Sequence, residues 1–196
     1  MPMMFRQIAL VGCGVAALML AGCEPPLQPA DAPKGGASMD TSRLPEGFSN
    51  DLQGDVSGYY MPTTEVRQGS WRLDHVFMGQ SQDFTAWEGG IREGQFAPVM
   101  LEFVDESSPM IQTELGEIHT GRVRVLPRFY SVENGMLRFV GVSDELGVVQ
   151  LDAQLNDDAL ATARRNLGAE GAVLNGTIGI GDAPPQAVGF RWWAGD

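Results

Sequence analysis

Few side chains in this sequence have the type and spacing that chemistry requires. Histidine occurs only as His75 and His119, and neither belongs to an HxH or HExxH spacing that would bind zinc. A serine–histidine–aspartate triad can be assembled from distant positions, but the GxSxG turn that presents many nucleophilic serines is absent. The glycine-rich stretch 176–181 lacks the lysine of a phosphate-binding loop. We therefore expect no catalytic residue, no metal site and no cofactor.

Three arginines are the most suggestive candidates for binding a partner. Arg122, Arg124 and Arg128 are spaced by two and then by four, so in a strand they would project from one face. Such a face could bind an acidic protein or an anionic sugar polymer. It could equally be an ordinary solvent face whose arginines pair with Asp or Glu on neighbouring strands.

Two further groups leave a functional and a structural interpretation open. The four tryptophans, at positions 71, 87, 192 and 193, could line a ligand pocket, although core packing is the commoner use of this side chain. The acidic pairs Asp105-Glu106 and Asp144-Glu145 could contribute to a calcium site. No EF-hand loop accompanies them, and solvated turn carboxylates explain them as well.

Composition excludes several classes of function. The chain carries a formal net charge of −12, which disfavours nucleic acid as a partner. Cys13 and Cys23 are the only cysteines, and both lie near the N-terminus. The rest of the chain therefore has neither a thiol nucleophile nor a cysteine zinc site. Its apolar content of 43% is typical of a globular protein.

The N-terminus, MPMMFRQIALVGCGVAALMLAGC, has the features of an export signal. Arg6 precedes an apolar run from Ile8 to Leu20, which is shorter than the roughly 20 residues that span a bilayer. The sequence Leu20-Ala21-Gly22-Cys23 resembles the lipobox of bacterial lipoproteins. That resemblance implies a diacylglyceryl group on the Cys23 thiol, cleavage before Cys23 and a further acyl chain, such as palmitate, on its new amine. In enterobacterial lipoproteins an Asp directly after the acylated Cys favours retention in the inner membrane. By that analogy, Glu24 implies that this protein is at the outer membrane, facing the periplasm.

Three segments follow from these features. Residues 1–22 form the predicted signal peptide, and residues 23–43 form a tether that begins at the acylated Cys23. Four prolines and two adjacent glycines between positions 24 and 42 predict an extended, unfolded linker. Residues 44–196 form a single β-rich domain.

The predicted domain is mainly β. Asn134-Gly135 is a strong hairpin turn signal between Arg122–Val132 and Met136–Ser143. Further predicted strands, with their core-facing residues, are Ser70–Gly79 (Trp71, Leu73, Phe77), Val99–Val104 (Val99, Leu101, Phe103), Gly147–Leu155 (Val149, Leu151, Ala153), and a second hairpin of Ala172–Ile180 with Ala187–Trp193 (Val188, Phe190, Trp192). These strands predict an antiparallel sandwich or a partly open barrel.

One short helix is predicted at about 157–167. Asn156 is a good N-cap, and Gly168 suits the left-handed position after the last turn. The apolar stripe Leu160, Ala163 and Leu167 would dock this helix on the sheet.

Two functions of different classes remain open. The first is a membrane-anchored, non-catalytic binding or assembly module, in the periplasm or at the cell surface, whose partner is an unknown envelope protein or polymer. The second is a small-ligand carrier with a lipocalin-like barrel. Gly58-Tyr59-Tyr60 and Ser70-Trp71 resemble the start of such a barrel, although the Gly-x-Trp pattern of that family is absent. An enzyme acting on an envelope polymer is a third and weaker hypothesis.

Overall fold

The computed structural model describes residues 41–92, 94–114 and 116–195. The predicted signal peptide, Cys23 and most of the predicted tether lie outside the described residues. After a 3-10 turn at Thr41–Arg43, the chain enters a domain that is mainly β, as the sequence predicts.

A single curled sheet forms the domain. Its strands are β1 (Gly47–Asn50), β2 (Gly58–Pro62), β3 (Arg67–Gln68), β4 (Trp71–Met78), β5 (Val99–Thr113), β6 (Gly116–Val125), β7 (Pro127–Glu133), β8 (Met136–Ser143), β9 (Gly147–Leu155), β10 (Leu174–Ile180) and β11 (Gln186–Trp193). They lie in the order β1-β7-β8-β9-β10-β11-β2-β4-β5-β6, with β3 paired to β4 beside this path. Only β1 and β7 are parallel among the described pairs. The curled sheet is a partly open barrel rather than a sandwich.

Both predicted hairpins are confirmed. Asn134 and Gly135 form the turn between β7 and β8, and both have the positive φ that this dipeptide favours. Strands β10 and β11 pair across the turn at 181–185. The predicted first arm, Arg122–Val132, is however divided between two strands. Strand β6 ends at Val125 on its partner β5, and β7 begins at Pro127 on its partner β8.

In β4, the side chains do not all lie on the face that the sequence predicts. Leu73 pairs with Phe103 and Val76 pairs with Leu101, so β4 uses one residue more than β5 over this stretch. This bulge reverses the alternation of side chains along β4. Leu73 is fully buried, whereas Phe77 points away from the core together with its neighbour Tyr59. The prediction that Leu73 and Phe77 share a face is therefore wrong.

Large side chains fill the enclosed side of the sheet. Those that are essentially inaccessible to solvent include Tyr60, Phe84, Phe103, Tyr130, Phe139 and Phe190. The core-facing residues predicted in β5 and β9 are buried, as are Val188 and Phe190 of β11. Trp192 is partly buried and packs against the same core.

Two helices pack against this core. The predicted helix is α2 (Asp157–Arg165), and the side chain of Asn156 accepts a hydrogen bond from the backbone N–H of Ala159, as an N-cap does. It ends earlier than predicted, so Leu167 is 75% exposed and Gly168 does not adopt a positive φ. The cause is a C-cap at Asn166, which leaves helical geometry at φ −129°.

The other helix, α1 (Ser81–Glu88), is not predicted from the sequence. The carboxylate of Asp83 caps its start by accepting the backbone N–H of Gln80 at 2.7 Å. Phe84 and Trp87, one turn apart, are buried in the core. Helix α1 thus fills part of the half-barrel and places Gln80 and Gln82 beside the outer surface of β2 and β4.

Candidate functional site

An aromatic row lies on the outer face of the sheet. Trp193 of β11 pairs with Tyr59 of β2, and Tyr59 pairs with Phe77 of β4. The ring centroids are 5.5 Å apart for Tyr59 and Trp193 and 5.4 Å apart for Tyr59 and Phe77. Phe96, from the segment before β5, meets Phe77 edge-on at 5.6 Å. We call Trp193, Tyr59, Phe77 and Phe96 the aromatic row.

The aromatic row is accessible to solvent. Trp193 is 41% exposed and Phe96 is 40% exposed, while Tyr59 and Phe77 between them are half-buried. Burying an aromatic side chain removes a large apolar area from water, so leaving these rings outside forgoes stabilisation. Contiguous exposed apolar surface of this kind commonly marks a binding site.

A cleft of about 660 Å³ adjoins the row, and we call it the aromatic cleft. Three members of the row, Tyr59, Phe77 and Phe96, line it together with polar side chains at the start of α1. The amide Nε2 of Gln82 donates to Oε1 of Gln80 at 3.2 Å, which holds the two amides together at the rim. Both residues are exposed and line the cleft.

A charged cluster lies next to the row on the same face. His75 of β4 pairs with Glu102 of β5, and Glu102 pairs with Arg124 of β6. The carboxylate of Glu102 accepts hydrogen bonds from Nη1 of Arg122 at 2.6 Å and from Nε of Arg124 at 2.8 Å. Nδ1 of His75 lies 3.0 Å from Oδ2 of Asp74. We call these five residues the charged cluster.

The two carboxylates of the cluster are held in their ionised form. The hydrogen bond with His75 is the main cause that lowers the pKa of Asp74, and nearby Arg122 and Arg72 lower it further. Burial raises the pKa of Glu102, but the hydrogen bonds from Arg124 and Arg122 outweigh that effect, so its pKa also lies below the ordinary value. The carboxylates of Asp74 and Glu102 are therefore ionised near neutral pH.

Asp74, His75 and Glu102 have the spacing of a metal site, since one ligand atom from each lies within 4.8 Å of the others. Their partners argue against ligation. Each oxygen of Glu102 already accepts from a guanidinium, and Arg122 also lies 3.8 Å from Asp74. A divalent cation would have to displace or face two positive side chains, so this arrangement suits charge pairing better than metal binding.

The structure separates the three arginines predicted to bind a partner. Arg122 and Arg124 lie together on β6 and both bind Glu102 on the neighbouring strand. Arg128 lies on β7 and forms an ion pair with Glu46. The prediction that these three arginines project from one face of a single strand is wrong, because the chain changes pairing partner between Val125 and Pro127. For Arg122 and Arg124, the structure matches the alternative interpretation of arginines paired with an acidic neighbour.

Sequence reasoning did not identify the aromatic row. Trp71, Trp87 and Trp192 pack in or against the core, as the structural interpretation of the tryptophans expects. Trp193 points outward because alternation places it opposite Trp192, a signal that the sequence did contain. The outward position of Phe77 depends on the bulge in β4, which residue types alone did not indicate.

Comparison with known proteins finds no matching protein-family model, no matching curated protein and no matching solved structure. In the part of the chain that the structure describes, neither helix is long and apolar enough to cross a membrane.

Proposed function

We propose that this protein is a membrane-anchored envelope lipoprotein whose domain is a non-catalytic binding or assembly module. In this proposal the acylated Cys23 holds the chain at the outer membrane, and the linker lets the domain reach a partner in the periplasm. The lipobox-like sequence supports the anchor. The aromatic row and the aromatic cleft are the proposed binding surface.

The observation that carries this proposal is where the aromatic side chains lie. The enclosed side of the sheet is packed with Phe84, Tyr130 and Phe139, which leaves these rings no contact with solvent. By contrast, Trp193 and Phe96 remain exposed on the outer face. A domain that binds through its surface is expected to have this distribution, whereas a carrier needs room inside.

The alternative is a small-ligand carrier with a lipocalin-like barrel. The partly open barrel is compatible with it, since such barrels can hold a ligand in their interior. A ligand on the enclosed side would nevertheless have to displace Phe84 of α1 or Tyr130, whose rings meet edge-on at 5.6 Å. A carrier that held its ligand at these two rings would therefore require a conformational change that the docking module does not.

Site-specific photocrosslinking in growing cells tests the docking surface. A photoreactive amino acid replaces Trp193 in one strain and Arg138 in another. Arg138 is a suitable control because it projects from β8 and its side chain is 62% exposed. We expect crosslinked adducts from position 193 and not from position 138. Equal adducts from both positions, or none from position 193, would contradict the proposed surface.

A further inference from the structure

We infer that the partner of the aromatic row is a polysaccharide that carries carboxylate groups, bound across the strands from β11 towards β6. This inference rests on the proposed function and specifies the ligand of the same face. It follows from three features. These are the rings of the aromatic row, the amides of the aromatic cleft, and an adjoining row of side chains in which Arg124 is bound to Glu102 and Arg191 is in no ion pair with any described residue.

The aromatic row is suited to sugar rings. A pyranose has an apolar face of C–H groups that packs against an aromatic ring, and hydroxyl groups at its edge that need hydrogen-bond partners. Tyr59 and Trp193 offer the rings, and Gln80 and Gln82 offer amide donors and acceptors at the rim. Strands β2 and β4 are paired on both sides, so a partner here is bound by side chains and cannot add as a strand.

The second row of outward side chains contains charged groups of both signs. Arg191 pairs with Met61 on β2, and further along the same face come His75, Glu102 and Arg124. Arginines therefore stand at both ends of this row. They are separated by four strand spacings, or roughly 19 Å. That span fits a short run of sugars better than a single small molecule.

Arg191 is the arginine available to a ligand. It is exposed and forms no ion pair among the residues that the structure describes, whereas Arg124 is bound to Glu102. It lies on the same face of β11 as Trp193, two residues away, so a sugar on the Trp193 ring can place a carboxylate beside the guanidinium. Because the chain has a net charge of −12, such local positive charge gives an anionic polymer a defined place to bind.

Binding of defined oligosaccharides to the full-length protein in detergent tests the inference. The probe is oligogalacturonate, and its methyl ester is the matched neutral ligand with the same sugar backbone. We expect oligogalacturonate to quench tryptophan fluorescence saturably and the ester to bind at least about fivefold more weakly. Raising the salt concentration should weaken the binding of the acid only.

Two variants and two controls locate the site. Trp193→Ala should weaken oligogalacturonate binding about tenfold, and Arg191→Gln should weaken it about fivefold while abolishing the preference for the acid over the ester. The controls are Ile91→Ala, at an exposed apolar residue outside the row, and Arg138→Gln on β8, and both should leave binding unchanged. Isothermal calorimetry provides a readout independent of fluorescence for the tryptophan variant.

Two sets of results would contradict the proposed ligand. Equal affinity for acid and ester, or no binding of either, would overturn the carboxylate-bearing polysaccharide. Tighter binding of poly-glutamate with no effect of Trp193→Ala would instead identify an acidic protein segment as the partner. If crosslinking from position 193 persists in either case, the proposed docking function survives and only the ligand assignment fails.

Discussion

At the scale of single residues, Glu102 holds the outer face together. Its carboxylate joins two arginines of β6, and the residue is largely buried between them. Removing one partner from such an ion pair lowers the stability of the folded protein, because the remaining charges stay partly desolvated without a compensating partner. Arg122 and Arg124 are about half exposed, so water can recover part of that loss.

We therefore expect Glu102→Gln to lower the free energy of unfolding by about 1–2 kcal/mol in urea denaturation. Asp152→Asn is the matched control, since Asp152 is 62% exposed and lies 4.0 Å from Arg138. Exposed pairs of this kind contribute little, and the control should change stability by less than about 0.5 kcal/mol. Equal effects of the two substitutions would show that the charged cluster has no special role in stability.

Asp55 makes the free energy of unfolding depend on pH under acidic conditions. Burial raises its pKa, but hydrogen bonds from Arg164 and Ser57 lower it to about 2. Because the folded pKa is below the ordinary value of about 3.9, the stabilisation is complete above that value. It is lost as the pH falls from about 3.9 towards about 2.

Accordingly, Asp55→Asn should lower stability at neutral pH and flatten the decline in stability over this acidic interval. Urea denaturation at a series of pH values measures both effects. Asp152→Asn removes a largely exposed carboxylate that lies 4.0 Å from Arg138, so it should keep the wild-type slope. Parallel curves for wild type and Asp55→Asn would contradict the assigned linkage.

Cys23 is the residue on which the proposed anchoring depends. Cys23→Ala removes the thiol that would receive the diacylglyceryl group, so we expect no lipid labelling and no cleavage of the signal. Metabolic labelling with an alkyne fatty acid, followed by gel fluorescence, measures the acylation, and an immunoblot of the same samples measures signal cleavage from the size of the chain. Cys13→Ala is the matched control and should be labelled as wild type. Equal labelling of Cys23→Ala and wild type would refute the lipid anchor.

At the scale of elements, the sequence predicted those features that neighbouring residues determine, such as a hairpin turn and the start of a helix. Asn134-Gly135 specifies its hairpin because both residues tolerate positive φ, and Asn156 specifies the start of α2 because its side chain caps the first turn. Several features escaped prediction, among them α1, the bulge in β4, the division at Leu126 and the strands β1, β2 and β3. Helix α1 spans only eight residues, and its N-cap is Gln80, which is not among the residue types that favour that position. The bulge and the division depend on which strands become neighbours, which local sequence did not indicate.

Helix α1 can be tested as a structural element through Phe84. This ring is fully buried and packs on Tyr130. Phe84→Ala should lower the free energy of unfolding by about 3–5 kcal/mol, because it removes apolar contacts and leaves a cavity. Phe96→Ala, on the exposed aromatic row, should cost less than about 1 kcal/mol. Similar losses for both would mean that the row is structural and would weaken its assignment as a binding surface.

At the scale of the whole molecule, one curled sheet separates two environments. Its enclosed side is filled by core residues from the sheet and both helices. Its outer face carries the aromatic row, the aromatic cleft and the charged cluster side by side across β11, β2, β4, β5 and β6. The position of the site on this face follows from strand order and register. Residues far apart in sequence, such as Tyr59 and Trp193, meet only when β2 and β11 pair.

The packed interior gives a final prediction that separates the docking module from the carrier. Wild-type protein should show no saturable binding of benzene or xenon, because a filled core has no dry space to accept them. Phe84→Ala should gain such binding if the variant stays folded, since an apolar cavity of adequate size binds these ligands. Thermal melts with and without benzene measure the gain as a ligand-dependent rise in Tm for the variant only. Ala163→Gly removes a much smaller buried group and serves as the control for general destabilisation. Stoichiometric binding by wild type would instead show an interior open to ligands, and the lipocalin-like carrier would become the better account of this protein.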